Sequence, residues 1–299
     1  MRAPGIEPEQ KAWKAHLTGV NAIQTNHTFL SVNAEIVDKY FSIREINGIS
    51  KNWLDNIKRW IKEYIKEMNY NISEVKTLEY IKQLKQNNSI NRYRKKVYQI
   101  RRFLEYLNID WIKHIIPPQE PRKIPKRITD NDIDVTINYF KEHEYGLQCR
   151  AVINLGKDSG IRAEEIYQLN LEDIDLENRT VYINHIPEKG QTTKNSMSRV
   201  SFFTDKTKNV LKEYIDYFNN RCYLKKLFSE THIERLFSHA PIRVKDLRKY
   251  FSAEFTRRNG NHFVKERLMG HSIKDVDSQH YCYLTNEELK KVYDEVMNS

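Results

Sequence analysis

Helical periodicity dominates the chain once the first 47 residues are passed. In KNWLDNIKRWIKEYIKEM (51–68) the apolar positions Trp53, Ile57, Trp60, Ile61 and Tyr64 fall on one face at three- and four-residue intervals, which predicts an amphipathic helix. The stretch SEVKTLEYIKQLKQ (73–86) predicts a second, with Val75, Leu78 and Ile81 or Leu84 inward. A third is expected over SINRYRKKVYQIRRFLEYL (89–107), on Val97, Ile100, Phe103, Leu104 and Leu107. Residues 1–47 show only weak periodicity and are read as an N-terminal extension, so the first helical domain is placed at 48–116. Four of the eight prolines then crowd into IIPPQEPRKIPKR; proline cannot continue a helix, and 117–128 reads as a linker. Thr129 before Asp130 and Asp132 is an N-cap with acids in the first turn, opening a helix through Phe140 and a second domain, 129–299. Within that domain RTVYINHI, a polar turn EKGQTTKNSM, and SRVSFF predict a β-hairpin. The chain ends in a capping box at Thr285–Glu288 followed by a stripe of Leu289, Val292, Tyr293 and Val296. The expected fold class is mainly α with a small antiparallel β-sheet.

Charge sharpens this outline. The chain of 299 residues carries a formal net charge of +10, and nearly all of it sits in one quarter. Residues 49–125 hold 17 Lys/Arg against 8 Asp/Glu; the rest of the chain holds 33 against 32. On the third helix Arg92, Arg94, Lys95, Lys96, Arg101 and Arg102 crowd the polar side with no acid before Glu105. Like charges so packed repel unless a polyanion receives them, which points to the phosphate backbone of a nucleic acid. An anionic membrane surface would need a strongly apolar face opposite the charge, and none is evident. No stretch approaches the about 20 apolar residues of a membrane span, and no export signal opens the chain. The three cysteines, Cys149, Cys222 and Cys282, form neither a disulfide framework nor a metal motif. A cytoplasmic protein is expected, with no metal and no cofactor.

The candidate chemistry lies in four short stretches of the second domain: DSGIRAEEIYQLN with Arg162 and Glu165, the turn EKG with Lys189, VKDLRKYFSAEF with Lys245 and Arg248, and LMGHSIKDVDSQHYCYL with His271, Tyr281 and Tyr283. Lys245 and Arg248 lie three residues apart and share a helix face. Singly, each is weak; a lone arginine or a turn lysine is usually solvated. In this order, with a hairpin between the first and third, they resemble the tyrosine recombinase (phage-integrase) family, of archaeal or Xer-like type. The G-[IL]-R-x-x-E box is Gly160-Ile161-Arg162 with Glu165, the hairpin lysine is Lys189 with Lys194 as second choice, the H-x-L-R box is Lys245-Asp246-Leu247-Arg248, and L-[LM]-G-H is Leu268-Met269-Gly270-His271.

The resemblance implies a helical DNA core-binding domain followed by an α-rich catalytic domain, and a site-specific DNA recombinase or integrase of a mobile element. It implies attack by Tyr281 on a phosphodiester to give a 3′-phosphotyrosine, with Arg162, Arg248, Lys189, Lys245 and His271 catalytic and Glu165 orienting them. It further implies double-stranded DNA as the partner and action on it as a homo-multimer, a tetramer. The chain departs from the family pattern twice: lysine replaces the first histidine of the second box, at Lys245, and the expected tyrosine spacing lands on His280, one residue before Tyr281 and three before Tyr283. Two lysines thus compete as proton donor. The rival readings are a non-catalytic DNA-binding relic, a topoisomerase IB-like relaxing enzyme, and a transcription-factor-like binder using the basic helix alone.

Overall fold

The computed structural model describes residues 30–120, 124, 126–220, 226–271 and 284–298. The chain forms two compact units, Met1–Lys123 and Ile124–Ser299. The division falls inside the proline-rich segment.

The first unit is built of helices α1 (Ala34–Ile46), α2 (Lys51–Glu67), α3 (Glu74–Asn87) and α4 (Ile90–Tyr106). A two-residue pairing of β1 (Leu30–Ser31) with β2 (Asn71–Ile72) ties its start to the α2–α3 connection. The apolar face read from α2 is its core face: Ile57, Ile61 and Tyr64 are buried with Val97, Ile100, Phe103 and Leu104 of α4, and Trp60 is buried edge-on to the Trp53 ring. Three details differ from the sequence reading. First, residues 34–46 are not an extension but a helix, N-capped by Asn33 and packed through Val37, Tyr40 and Phe41. Its apolar set is short and broken by Asp38, Lys39 and Ser42, which hides the periodicity, yet the Tyr40 ring meets Phe103 edge-on at 5.1 Å. Second, on α3 Val75 and Leu78 face solvent, while Thr77, Ile81 and Leu84 are buried. The rotation follows from a buried 2.7 Å hydrogen bond between the Thr77 and Tyr64 hydroxyls, which makes a polar residue part of the core face. Third, Lys96 is buried and donates to Glu63 at 2.8 Å.

The second unit is organised around α6 (Gly146–Ser159), buried along most of its length. It packs against α8 (Asp205–Asn219) and α10 (Val244–Arg257). Helix α5 (Asp130–Tyr139) leads into it, held at its start by the Thr129–Asp132 capping box. Between α7 (Ala163–Tyr167) and α8 lies a three-stranded antiparallel sheet of β3 (Ile174–Asp175), β4 (Thr180–Ile183) and β5 (Arg199–Phe202). The β4–β5 hairpin pairs Thr180 with Phe202 and Ile183 with Arg199. This register sends Val181 and Ile183 into the main core and Phe202 into a smaller one. Helix α9 (Glu230–Leu236) packs into the main core through Ile233, α11 (His262–Met269) lies against α10 and β5, and the last helix, α12 (Asn286–Met297), closes the smaller core. Leu289, Tyr293 and Val296 of α12 are buried there with Phe202, Phe251 and Phe255 of the same chain. The Tyr293 hydroxyl donates to the Asp158 carbonyl at 3.0 Å. The chain is thus mostly helical with small antiparallel sheets.

Candidate active site

The site assembles where α6, α10 and α11 end or begin. Helix α6 stops at Gly160, whose φ of 63° is left-handed and whose missing Cβ makes room for the Phe251 ring. The chain then turns out through Ile161 and starts α7 with Arg162 as its N-cap residue. Glu165 in the first turn of α7 accepts from the Arg162 backbone N–H at 2.8 Å and from its Nη1 at 2.9 Å. A second arginine grips the same carboxylate. Arg199, the first residue of β5, donates Nη1 and Nη2 to the two Glu165 oxygens at 3.0 and 2.7 Å, the bidentate fork that suits guanidinium and carboxylate. Burial pushes the Glu165 carboxyl up, but hydrogen bonds and charge from Arg199 and Arg162 outweigh it and hold it below the usual carboxylate range.

The end of α11 provides the other wall. Three successive carbonyls there each receive an arginine: Leu268 O from Arg199 Nε at 3.0 Å, Met269 O from Arg248 Nη1 at 2.6 Å, and Gly270 O from Arg162 Nη2 at 2.8 Å. The last carbonyls of a helix lack intrahelical donors and carry the negative end of its dipole, so a short helix end becomes a socket for three cations. Gly270 is required at that end: its φ is 67°, and a Cβ would stand 2.7 Å from the Arg199 guanidinium. Arg248, on the first turns of α10, also donates to Gly160 O at 2.7 Å, tying the end of α6 to the end of α11. Its pKa is pulled down to about 10 by burial first and then by the positive charges of Arg162 and Arg199, so it remains protonated at neutral pH.

His271 closes the group. Arg248 Nη2 donates to its Nε2 at 2.7 Å. Arginine has no acceptor, so Nε2 carries the lone pair and Nδ1 the proton, which is donated to Glu266 Oε2 at 2.6 Å. The result is a cationic patch with fixed donors, held by backbone and carboxylates, and able to receive the oxygens of an anionic group. A cavity of about 360 Å³ lined by Lys157, Asp158, Thr204 and Glu254 among others shares no residue with it.

Of the residues read from sequence, Arg162, Glu165, Arg248 and His271 stand in this one hydrogen-bonded group. Lys245 projects from the first turn of α10 one turn ahead of Arg248 and is exposed. Lys189 is exposed on a 3₁₀ turn, Pro187–Lys189, in the β4–β5 connection. Tyr281 and Tyr283 lie outside the described residues. In the first unit the six cations of α4 do not form the continuous free row expected. Arg92, Lys95 and Arg102 are exposed and Arg94 half-buried, but Lys96 is spent on Glu63 and Arg101 on Glu105 at 2.7 Å. Sequence reasoning missed Arg199 and Glu266. Glu266 stands five residues before His271, outside the three- and four-residue spacing of helical pairs, and the two meet only because the chain turns at Gly270; Arg199 meets Glu165 from 34 positions away, and no local pattern reports that.

The model of the phage integrase family matches residues 126–288. Tyrosine recombinase XerA of Saccharolobus solfataricus is 29% identical over 254 residues, 82% of this chain and 79% of that protein. Among solved structures, the Tn1549 transposon integrase in complex with circular intermediate DNA covers 86% of this chain and 97% of its own at a TM-score of 0.61 and 13% identity. A lambda integrase tetramer bound to a Holliday junction covers 93% and 89% at a TM-score of 0.65 and 12% identity. With arginines, histidine and carboxylate seated as described and more than half the chain matched, the protein belongs to the phage integrase family. Its fold is that of these solved integrases. Among the described residues no helix is long and apolar enough to cross a membrane.

Proposed function

We propose that this chain cleaves and rejoins duplex DNA at specific sites through a 3′-phosphotyrosine intermediate, with Tyr281 as nucleophile. The observation that carries the reading is the single hydrogen-bonded group of Arg162, Arg248 and His271 on the carbonyls that end α11. Such a group suits a phosphodiester whose non-bridging oxygens gain charge in the transition state: the guanidinium forks receive those oxygens, and their places are set before substrate arrives. The Tyr281 oxygen bonds to phosphorus as the bond to the 5′-oxygen breaks, and the leaving oxygen takes a proton from Lys189. The tyrosine proton passes to a base, for which the lone pair on His271 Nε2 is suited once phosphate displaces it from Arg248. Attack by a 5′-hydroxyl of another strand reverses the steps. The phosphoester energy is retained in the intermediate, so no nucleotide or other cofactor enters. Cleavage at paired sites requires several copies on the DNA, and a tetramer accords with the lambda integrase assembly.

The relic reading is motivated by Lys245 in place of histidine, but a lysine still donates to a phosphate oxygen, and the grouping of Arg162, Arg248 and His271 supports a working site. The test is covalent capture. A pool of nicked duplexes with randomised core sequence is offered to the full chain, and protein–DNA adducts that survive denaturation are recovered. Wild type and Tyr283→Phe are expected to give adducts and Tyr281→Phe none. Adducts from Tyr281→Phe but not Tyr283→Phe move the nucleophile; none from wild type on any duplex leaves the relic reading standing. A closed supercoiled circle distinguishes the relaxing-enzyme alternative, which would relax plasmids without regard to sequence.

A further inference from the structure

The turn that carries Lys189 is clamped. Ile186 and Gln191 bridge across it, with Ile186 N–H donating to Gln191 O at 2.8 Å and Gln191 N–H to Ile186 O at 3.2 Å. Inside that bridge Lys189 N–H donates to Ile186 O at 2.9 Å. The Gln191 side chain turns inward and is 5% exposed. Its amide donates to Asp173 Oδ2 at 2.7 Å and to Gln168 O at 3.3 Å. From the opposite arm, just beyond β4, Asn184 Nδ2 donates to the other oxygen, Asp173 Oδ1, at 2.7 Å. Asp173 itself is 3% exposed and anchored by the Asn170 backbone N–H at 2.8 Å. One buried carboxylate therefore takes a bond from each side of the Lys189 turn. The neighbouring backbone N–H of Thr192 adds a 2.6 Å bond to Gln168 Oε1. Gln168 is the C-cap residue of α7, the helix that opens with Arg162 and carries Glu165. Glu165, Gln168, Asn184, Gln191 and Thr192 line one small common cavity.

Lys189 is a long side chain in solvent, and among the described residues it has no ion pair of its own. Its reach is set by the backbone that carries it, and a misplacement of about 1 Å at a proton donor can cost on the order of 10²-fold in rate. We propose that Asp173 and Gln191 are positioning residues: they fix the Lys189 turn to the Arg162–Glu165 segment, so that the proton donor stands in register with the phosphate that Arg162 holds. This rests on the reading of Lys189 as donor to the leaving 5′-oxygen. Lys245 rides on α10 with Arg248 and depends on no such clamp, so the two lysines respond differently when the clamp is cut.

The test compares leaving groups. Wild-type chain first selects its own duplex by the covalent capture above, and that duplex is then made with either oxygen or sulfur at the 5′-bridging position. An alkoxide departs only with a proton; a thiolate, whose conjugate acid lies near about 8.5 as in cysteine, departs with the electron pair of the P–S bond and needs no acid. Gln191→Met, nearly isosteric but without donors, is expected to slow single-turnover cleavage of the oxygen substrate by about 10-fold or more, and to cleave the sulfur substrate within about two-fold of wild type. Asp173→Asn is expected to follow it, with unchanged melting temperature of Gln191→Met guarding against loss of fold. Lys189→Ala should lose about 10²–10⁴ on oxygen and recover on sulfur. Equal deficits on both substrates, no deficit on either, or sulfur rescue of Lys245→Ala in place of Lys189→Ala overturns the clamp. Failure of wild type to capture any duplex overturns the recombinase reading instead, and the clamp with it.

Discussion

The two cationic regions of this chain use the same residue types in opposite ways. On α4 of the first unit Arg92, Lys95 and Arg102 stand in solvent, with the Lys95 ammonium about 6.0 Å from the Trp53 ring and no carboxylate on any of the three among the described residues. In the second unit Arg162, Arg199 and Arg248 are largely withdrawn from water, and each is held by at least two protein acceptors. Long cations at a surface suit a polyanion contacted at many points, since phosphate contacts supply affinity and register. Guanidinium groups locked on carbonyls suit a charge that develops at one point, since they need no reorganisation when it appears. Under the proposed function the difference separates holding DNA from acting on it, and it also explains where net charge is informative. The excess of +9 is concentrated in the first unit, whereas the charge of the arginine group is offset in part by Glu165 on Arg162 and Arg199 and leaves little trace in a charge count.

The comparison breaks first at Arg248. Arg248→Ala removes one preorganised fork, and single-turnover cleavage is expected to fall by about 10²–10³ or more, read on captured substrate at saturating protein. A loss no larger than that of a surface arginine would place Arg248 with the α4 cations.

Glu165→Gln sharpens the same contrast through stability. It leaves Arg162 and Arg199 partly unpaired in a buried setting, with an expected loss of about 3–5 kcal/mol in urea unfolding. The pH dependence has a definite sign. The folded carboxyl of Glu165 lies below its ordinary range, so its stabilisation is fully present above the unfolded value of about 4.3 and is lost as pH falls through the lower folded value. Wild type should therefore weaken on acidification below about pH 4.3 more steeply than Glu165→Gln does.

The smallest effects belong to α4. Arg92→Ala, Lys95→Ala and Arg102→Ala should each weaken duplex binding and reduce the slope of log K against log salt by about 0.9 for each phosphate no longer neutralised. Lys96→Met should leave that slope unchanged, because Lys96 is buried on Glu63. A slope change for Lys96→Met equal to the others would restore it to the DNA-facing set.

Much of this arrangement is legible in the sequence, and what is not has a physical cause. The helices of the first unit announce themselves because α2 and α4 bury continuous stripes such as Ile57-Trp60-Ile61-Tyr64. Helix α1 stays hidden, since three buried residues in 13 make a weak stripe, and α3 misleads, because Thr77 is a core residue only by virtue of Tyr64. In the second unit Arg162, Glu165, Arg248 and His271 are found by motif order, which reports chemistry directly. What holds them is invisible at that level: Arg199 acts through partners 34 and 69 positions away, and the other acceptors that seat the arginines are backbone carbonyls, which every residue has. Net charge likewise identifies α4 as basic but cannot tell Arg92, exposed to solvent, from Lys96, buried on an acid.

The most direct test of the division between holding and acting measures binding and cleavage separately in two proteins, Arg248→Ala and the triple variant Arg92→Ala/Lys95→Ala/Arg102→Ala. Equilibrium binding to the captured duplex and single-turnover cleavage at saturating protein are read side by side. Arg248→Ala should bind within about three-fold of wild type while cleavage falls by about 10²–10³. The triple variant should lose affinity steeply with salt yet cleave at near wild-type rate once bound. A triple variant that binds normally but cannot cleave, or an Arg248→Ala protein that fails mainly in binding, would contradict the account.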